Sequence, residues 1–523
     1  MTRRILLLLA AVTMVTAPAC ASNYQSLKEE MDSYAPPRAY PGVAGGVAAA
    51  PAVSAPVTAV DDFAVASQRL RDLAAQWEQS LQRPEADSSF LVADEDTLRT
   101  LAGAAEDPDV AGKALGVGFS LETLEALTLL RNPMIKTREA ETRAAVEVFG
   151  QAEQIDAVLR RYASLTATSM GGGGMAAPDF PFPAVLTLKG QIVVEEVRAA
   201  RERLEAARRD AVTAARTAYW ELISVGQAAE ITSRMIDLLE NLDRSVASRY
   251  EAGKTSFQDL VRIRIEREKA REELKTLAEE RKNRAAEIRG LLALPPEIAV
   301  GTPTFREDWA PLPAQAMLEA LARRQELRAA DAMVGRMERM LEMVETMTFP
   351  GFDLGLSPAS RGVIAPPAGS SGMGGEAGSS GAGTAVAAKA PSQPFFAAEE
   401  SYVREIRQRI NALRSEREAV KAQTLVDVRN AWFAADRARR EEALYAAKVL
   451  GLSQSALESS LQGYAAGSVA FADLLESYKG WLENNLARRR ARVDIGITRS
   501  GLEAAVGVSN LDVVGTSDIK DRK

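Results

Sequence analysis

The sequence predicts a mostly α-helical chain built as two tandem copies of a long coiled-coil hairpin, with short β-strands as a minor part. Three observations predict it. The stretch Tyr250-Glu251-Ala252-Gly253-Lys254-Thr255-Ser256-Phe257-Gln258-Asp259-Leu260 returns as Tyr464-Ala465-Ala466-Gly467-Ser468-Val469-Ala470-Phe471-Ala472-Asp473-Leu474, so Tyr, Ala, Gly, Phe, Asp and Leu recur at fixed spacing. Upstream, Val197, Leu204, Ala211, Ala218, Val225, Leu239 and Val246 fall on one seven-residue repeat that only Thr232 interrupts. A repeat kept that long holds one seam of a helix against a partner. Gly253 lies where this pattern stops and a second, through Leu260, Ile263, Ala270, Leu274, Leu277, Ile288 and Leu291, begins. Glycine there supplies the left-handed residue that closes a helix and turns the chain back.

The N-terminus opens on Arg3 and Arg4, an apolar run from Ile5 to Val15, and Ala17-Pro18-Ala19-Cys20. A basic end, a short apolar run and small residues form a secretory signal, residues 1–19, too short to stay as a spanning helix. Cys20 is the only cysteine of the chain. Its position resembles a bacterial lipoprotein signal, which implies lipidation at Cys20; Ala21 after it implies the outer membrane by the same resemblance. An ordinary cleaved signal is the alternative. Residues 20–118 read as a lipidated Ala/Gly/Pro-rich tether, a short amphipathic helix marked by Phe63, Leu70, Leu73 and Trp77, and a polar connection.

The first copy spans residues 119–300. Ser120 caps a helix over Leu121–Leu127, Asn132-Pro133 breaks it, and a new run continues to about Leu159. Leu165–Met170 and Phe180–Leu188 look like two short strands about the glycines at 171–174. The long hairpin follows and ends at Pro295-Pro296. The second copy, residues 301–507, begins with Leu318-Glu319-Ala320-Leu321, repeating Leu124–Leu127. A helix runs to Met347, Phe349–Leu356 looks like a strand, and the Gly/Ser-rich loop 362–392 reads as disordered. A long helix covers about 399–462, turns at Gly467 and returns to about Val506. Residues 508–523 form a polar tail.

Composition narrows the function. The 523 residues carry 64 basic and 71 acidic side chains, net −7, so a nucleic-acid partner has no electrostatic support. Histidine is absent, which removes the commonest general base and metal ligand. No enzyme activity, cofactor or metal is expected. Gly253-Lys254-Thr255 resembles the end of a phosphate loop, but Ser248 stands where a glycine is needed and a helix precedes it. Met333, Met337, Met340, Met343 and Met347 lie at helical spacing and read as seam packing rather than soft-metal ligands. Trp220 and Trp432 read as packing anchors. Arg208-Arg209 and Arg488-Arg489-Arg490 read as solvated faces.

Leu-x-x-Ala-Leu, Asn-Pro, a long helix and Tyr-x-x-Gly-x-x-Ser-x-x-Asp-Leu, then most of this pattern again, resemble the TolC-like outer-membrane efflux proteins over about residues 116–507. The resemblance implies a homotrimer whose helices form a tunnel across the periplasm, capped by a small outer-membrane β-barrel with four strands from each protomer. It implies an exit duct of a Gram-negative envelope, docked to a periplasmic adaptor and an inner-membrane pump of RND or ABC type. Tyr250, Gly253, Ser256, Asp259, Tyr464, Gly467 and Asp473 would then mark the adaptor-docking tips, and Asp473 with Glu476 the constriction. Asp473 and Glu476 are three apart and share a helix face, so a threefold axis would gather them into a cation-favouring ring. The alternative is that Asp473 caps the returning helix and Glu476 is merely solvated. Two departures weaken a strict carry-over: Arg262 stands where the second copy has Glu476, and Val469 where some relatives have a locking arginine. For the whole chain, the alternative is a non-conducting envelope scaffold lipoprotein with the same helical fold.

Overall fold

The computed structural model describes residues 63–82, 90–91, 94–169, 183–253, 255–305, 312, 320–321, 323–346 and 401–511, all within one unit, 58–523. In chain order the helices are α1 Phe63–Gln82, α2 Glu95–Leu101, a 3-10 turn Ala102–Ala105, α3 Pro108–Ala114, α4 Leu121–Arg131, α5 Pro133–Ser169, α6 Pro183–Glu251 and α7 Phe257–Leu291. The second copy continues with α8 Gln325–Thr346, α9 Ser401–Leu444, a π turn Tyr445–Val449, α10 Leu450–Ala466 and α11 Phe471–Val506. Cys20, the loop 362–392 and the strand expected at Phe349–Leu356 lie outside the described residues.

Everything is arranged about α6. Its 69 residues extend about 100 Å at 1.5 Å per residue, and it packs against α1, α4, α5, α7, α8 and α11. The predicted heptad positions, Val197 to Val246 with Thr232 included, are all buried. Across the turn, Leu260, Ile263, Ala270, Leu277 and Ile288 of α7 complete that seam. In the second copy α9 packs on α8 and α11, and α10 on α11. Met337, Met340 and Met343 are buried along α8, which packs on both α6 and α9.

The Asn-Pro break is built as predicted and also serves a second purpose. Asn132 Oδ1 accepts from the Met134 and Ile135 amides at 3.0 and 3.2 Å, capping α5, while its Nδ2 donates to the Leu291 carbonyl at 2.9 Å at the end of α7. Pro133 sits at the first position of α5, where its missing N–H costs nothing.

Three expectations are corrected. The strand pair is not seen: α5 runs through Ser169 and α6 starts at Pro183, with 170–182 outside the described residues. Leu186 and Leu188 are apolar because that end of α6 is covered, Leu186 packing with Leu70, Val146 and Phe149 of α1 and α5, so a buried helix mimicked a strand. The polar connection before Gly118 is instead α2, the 3-10 turn and α3, whose Leu101, Ala104 and Ala111 join Leu115, Leu124, Leu127, Tyr219 and Trp220 in one core. Finally, Arg209 is not solvated. It is buried against α8, with Nη2 and Nη1 on the two Glu326 oxygens at 2.6 and 2.7 Å. Among the described residues the only β pairing is a single parallel bridge between Phe119 and Pro303.

The two copies are pinned together midway. Arg216 of α6 binds Glu125 of α4 at 2.6 Å and Glu503 of α11 at 2.5 Å, with all three buried. Trp220 presses on α11 where Gly496 passes: a Cβ on Gly496 would meet the indole at 2.4 Å. Trp220 is therefore the anchor its sequence position indicated.

Candidate functional site at the paired tips

Both hairpins end in a glycine turn. Gly253 has φ +72° and Gly467 φ +82°, conformations an L side chain enters only at a cost. At the second tip Gly467 N donates to Tyr464 O at 3.2 Å and Ser468 N to Gly463 O at 2.9 Å, the paired bonds that satisfy the last carbonyls of a helix. Tyr250 packs on Phe257 and Tyr464 on Phe471, with ring centroids 5.9 and 5.8 Å apart. The first pair is exposed, Tyr250 at 43% and Phe257 at 60%, whereas Tyr464 and Phe471 are buried at 8% and 3%. The same residues thus face outward in one copy and inward in the other.

The returning helices start differently. Ser256 caps α7: its Oγ accepts from Asp259 N at 3.2 Å, and Asp259 Oδ2 accepts from Ser256 N at 3.3 Å, a reciprocal capping box. Thr255 and Ser256 hydroxyls donate to the same Oδ2 at 2.9 and 2.8 Å. Partial burial pushes the Asp259 carboxyl up, but these bonds and the nearby Arg262 charge hold it below its ordinary value. In the second copy Ala470 replaces Ser256 and supplies no side-chain cap. Asp473 is left out of any capping role. Asp473 and Glu476 are both exposed, and neither carboxylate has a partner among the described residues. Asp473 therefore does not cap the helix, Glu476 is solvent-exposed as the alternative has it, and two carboxylates stand three residues apart on the first turns of α11.

The sequence reading missed what ties the tips together. Arg249 of α6 donates from Nη1 to Tyr464 O at 2.7 Å and from Nη2 to Ala465 O at 2.8 Å, with its guanidinium carbon 4.5 Å from the Tyr464 ring centroid. A cation here satisfies carbonyls left open at the end of α10 and opposes its negative dipole end. Lys479 adds a 3.2 Å ion pair to Glu266 of α7. The signal was available, because the place of Arg249 in the second copy is held by Gly463. Glycine is needed there: a Cβ would lie 2.3 Å from Val469 Cγ2. Val469 is thus a packing residue on the tip. The structure brings Tyr250, Gly253, Ser256 and Asp259 into one turn and Tyr464, Gly467, Asp473 and Glu476 into the other, and Arg249 bridges the two.

No family model and no curated sequence matches the chain. Solved structures do. It resembles the outer-membrane protein VceC of Vibrio cholerae at 14% identity and TM-score 0.53, covering 74% of this chain and 96% of VceC. It resembles the outer-membrane channel OprN at 15% identity and TM-score 0.55, covering 87% of this chain and 98% of OprN. It resembles the CmeC outer-membrane channel of Campylobacter jejuni at 12% identity and TM-score 0.52, covering 77% and 88%. The chain has the fold of these TolC-like outer-membrane channels.

Proposed function

We propose that this chain is the outer-membrane exit duct of a tripartite efflux or secretion system, a passive conduit with no chemical step. The carrying observation is the fold, two side-by-side hairpins from one duplicated chain, shared with channels over most of their length. The chain also leaves apolar residues uncovered on each copy. Phe257, Val261 and Ile265 form one exposed stripe on α7, at i, i+4 and i+8, and Val426, Phe433 and Leu444 another on α9. Each copy already packs against the other within the chain, so further copies of the same chain are the natural cover, closing a ring by rotation. The ring in this reading is a homotrimer. In this reading Gly253 and Gly467 mark the surface met by a periplasmic adaptor, an inner-membrane pump of RND or ABC type delivers the substrate, and Cys20 carries a lipid anchor in the outer membrane.

Native mass spectrometry of the detergent-purified protein tests assembly and anchor together. Three chains per particle and acyl mass on Cys20, absent from Cys20→Ser, are expected. Val261→Glu with Ile265→Glu should leave monomers. A wild-type monomer, or a double variant that still assembles in full, would count against the ring.

A further inference from the structure

The two copies do not keep step. Arg429, Ala431 and Trp432 stand 213 places after Arg216, Ala218 and Tyr219, whereas Tyr464 and Gly467 stand 214 places after Tyr250 and Gly253. One extra residue therefore enters the second copy between Trp432 and Tyr464. Burial locates it independently. Val428 and Ala435 are buried one heptad apart, and continuing by sevens leads to 442, 449, 456 and 463; the residues buried below are Leu457 and Tyr464, one place later. Between them lies the π turn Tyr445–Val449, the local form by which an α-helix holds one surplus residue while both flanks keep their faces. In α6 the heptad runs from Val197 to Val246 without a skip and without a π turn.

A π turn widens the helix and loosens its hydrogen-bond ladder, which makes it one of the few places where long helices bend. This one is lightly held, lying against α11. None of its five residues is buried, and Ala446, Ala447 and Lys448 are exposed. Gly451 follows at once, and a Cβ there would meet open space, so packing does not demand the glycine that weakens the helix. Below the turn, Leu457, Tyr464, Phe471, Leu474, Leu475 and Tyr478 of the second tip share one core with Met235, Leu239 and Val246 of α6 and Leu260, Ile263 and Ala270 of α7. Between α6 and α10 a cleft of about 430 Å³ stays open, with Leu238 and Leu461 at its lips. Arg249 and Lys479 then lash this tip to the first copy.

We infer that the π turn Tyr445–Val449 is a hinge, at which the second-copy tip hairpin tilts against the first copy while the unbroken α6 acts as a fixed strut. The hinge needs only the fold; that its swing opens a duct rests on the function proposed above.

Hydrogen exchange on the full-length wild type in detergent decides first. Amides of residues 446–452 should exchange about tenfold faster than those of 232–238 in α6; equal protection of the two segments overturns the hinge. Deleting Ala447 removes the surplus residue and should bring the segment to the protection of α6. Gly451→Ala, which folds as an ordinary helix residue, should slow exchange about twofold to threefold. Spin labels at Glu251→Cys and Ala466→Cys in Cys20→Ser protein read the motion itself. Deleting Ala447, or Gly451→Ala should the deletion not fold, is expected to narrow the intrachain distance distribution, by about half for the deletion. Unchanged width in both variants contradicts the hinge. None of these readouts requires conduction, so a chain that hinges yet never conducts would leave this inference standing and remove the duct.

Discussion

At the residue scale, Asp259 and Asp473 occupy the same place in their copies and are put to different uses. Ser256 engages Asp259 in a capping box, while Ala470 leaves Asp473 free beside Glu476. Two changes, Thr255 to Val469 and Ser256 to Ala470, remove the hydroxyl donors that make the first carboxylate structural. The half-buried Glu326 behaves oppositely. Burial pushes the Glu326 carboxyl up, but the Arg209 guanidinium, helped by Arg324, outweighs it and holds the group at about 2 against an ordinary 4.5. A depressed carboxyl contributes stability in full above its unfolded value and loses it as pH falls through the folded one. The gap in Tm between wild type and Glu326→Gln should therefore be constant near neutral pH and close between pH 4.5 and about 2. A gap unchanged down to pH 2 would contradict the pairing. Arg209 shows why such residues hide in a sequence: Arg208-Arg209 reads as a charge run, and only the approach of α8 makes one member buried.

At the element scale, the heptads of α6 and α7 were legible because they obey one period; burial follows it at every named position of α6 and at all but Leu274 and Leu291 of α7. The glycine turns were legible because φ > 0 leaves few alternatives to glycine. Legibility failed where burial was two-sided or composition mixed. The covered end of α6 near Leu186 looked like a strand, and the short helices α2 and α3 looked like polar loop. The skip at the π turn is written in the sequence as a change of spacing between the copies, a signal of one residue spread over more than thirty. Where α6 and α11 cross, Gly496 passes directly against the Trp220 ring. Gly496→Val must displace the Trp220 ring, an overpacking that costs about 1–3 kcal/mol. Thermal unfolding should show that loss, with Gly496→Val lower in Tm than the α7 surface control Glu273→Gln; equal melting would mean that α11 does not press on Trp220.

At the scale of the whole molecule, duplication does most of the organising. One chain supplies two hairpins, the Arg216 ion pairs and Trp220 join them midway, and Arg249 joins them at the tips. In the proposed ring the apolar stripes on α7 and α9 are covered by further copies of the chain. The free carboxylates of Asp473 and Glu476 take on meaning only there, since one pair on one protomer is an ordinary solvated surface and several pairs about an axis form a cation-favouring constriction. The measurement that tests this most directly is single-channel recording of the purified protein in a planar bilayer. The duct account predicts small cation-favouring steps that enlarge and lose cation preference when Asp473 and Glu476 are both changed to alanine. An assembled protein that never conducts, with or without those carboxylates, would contradict it and leave the chain a non-conducting scaffold of the envelope.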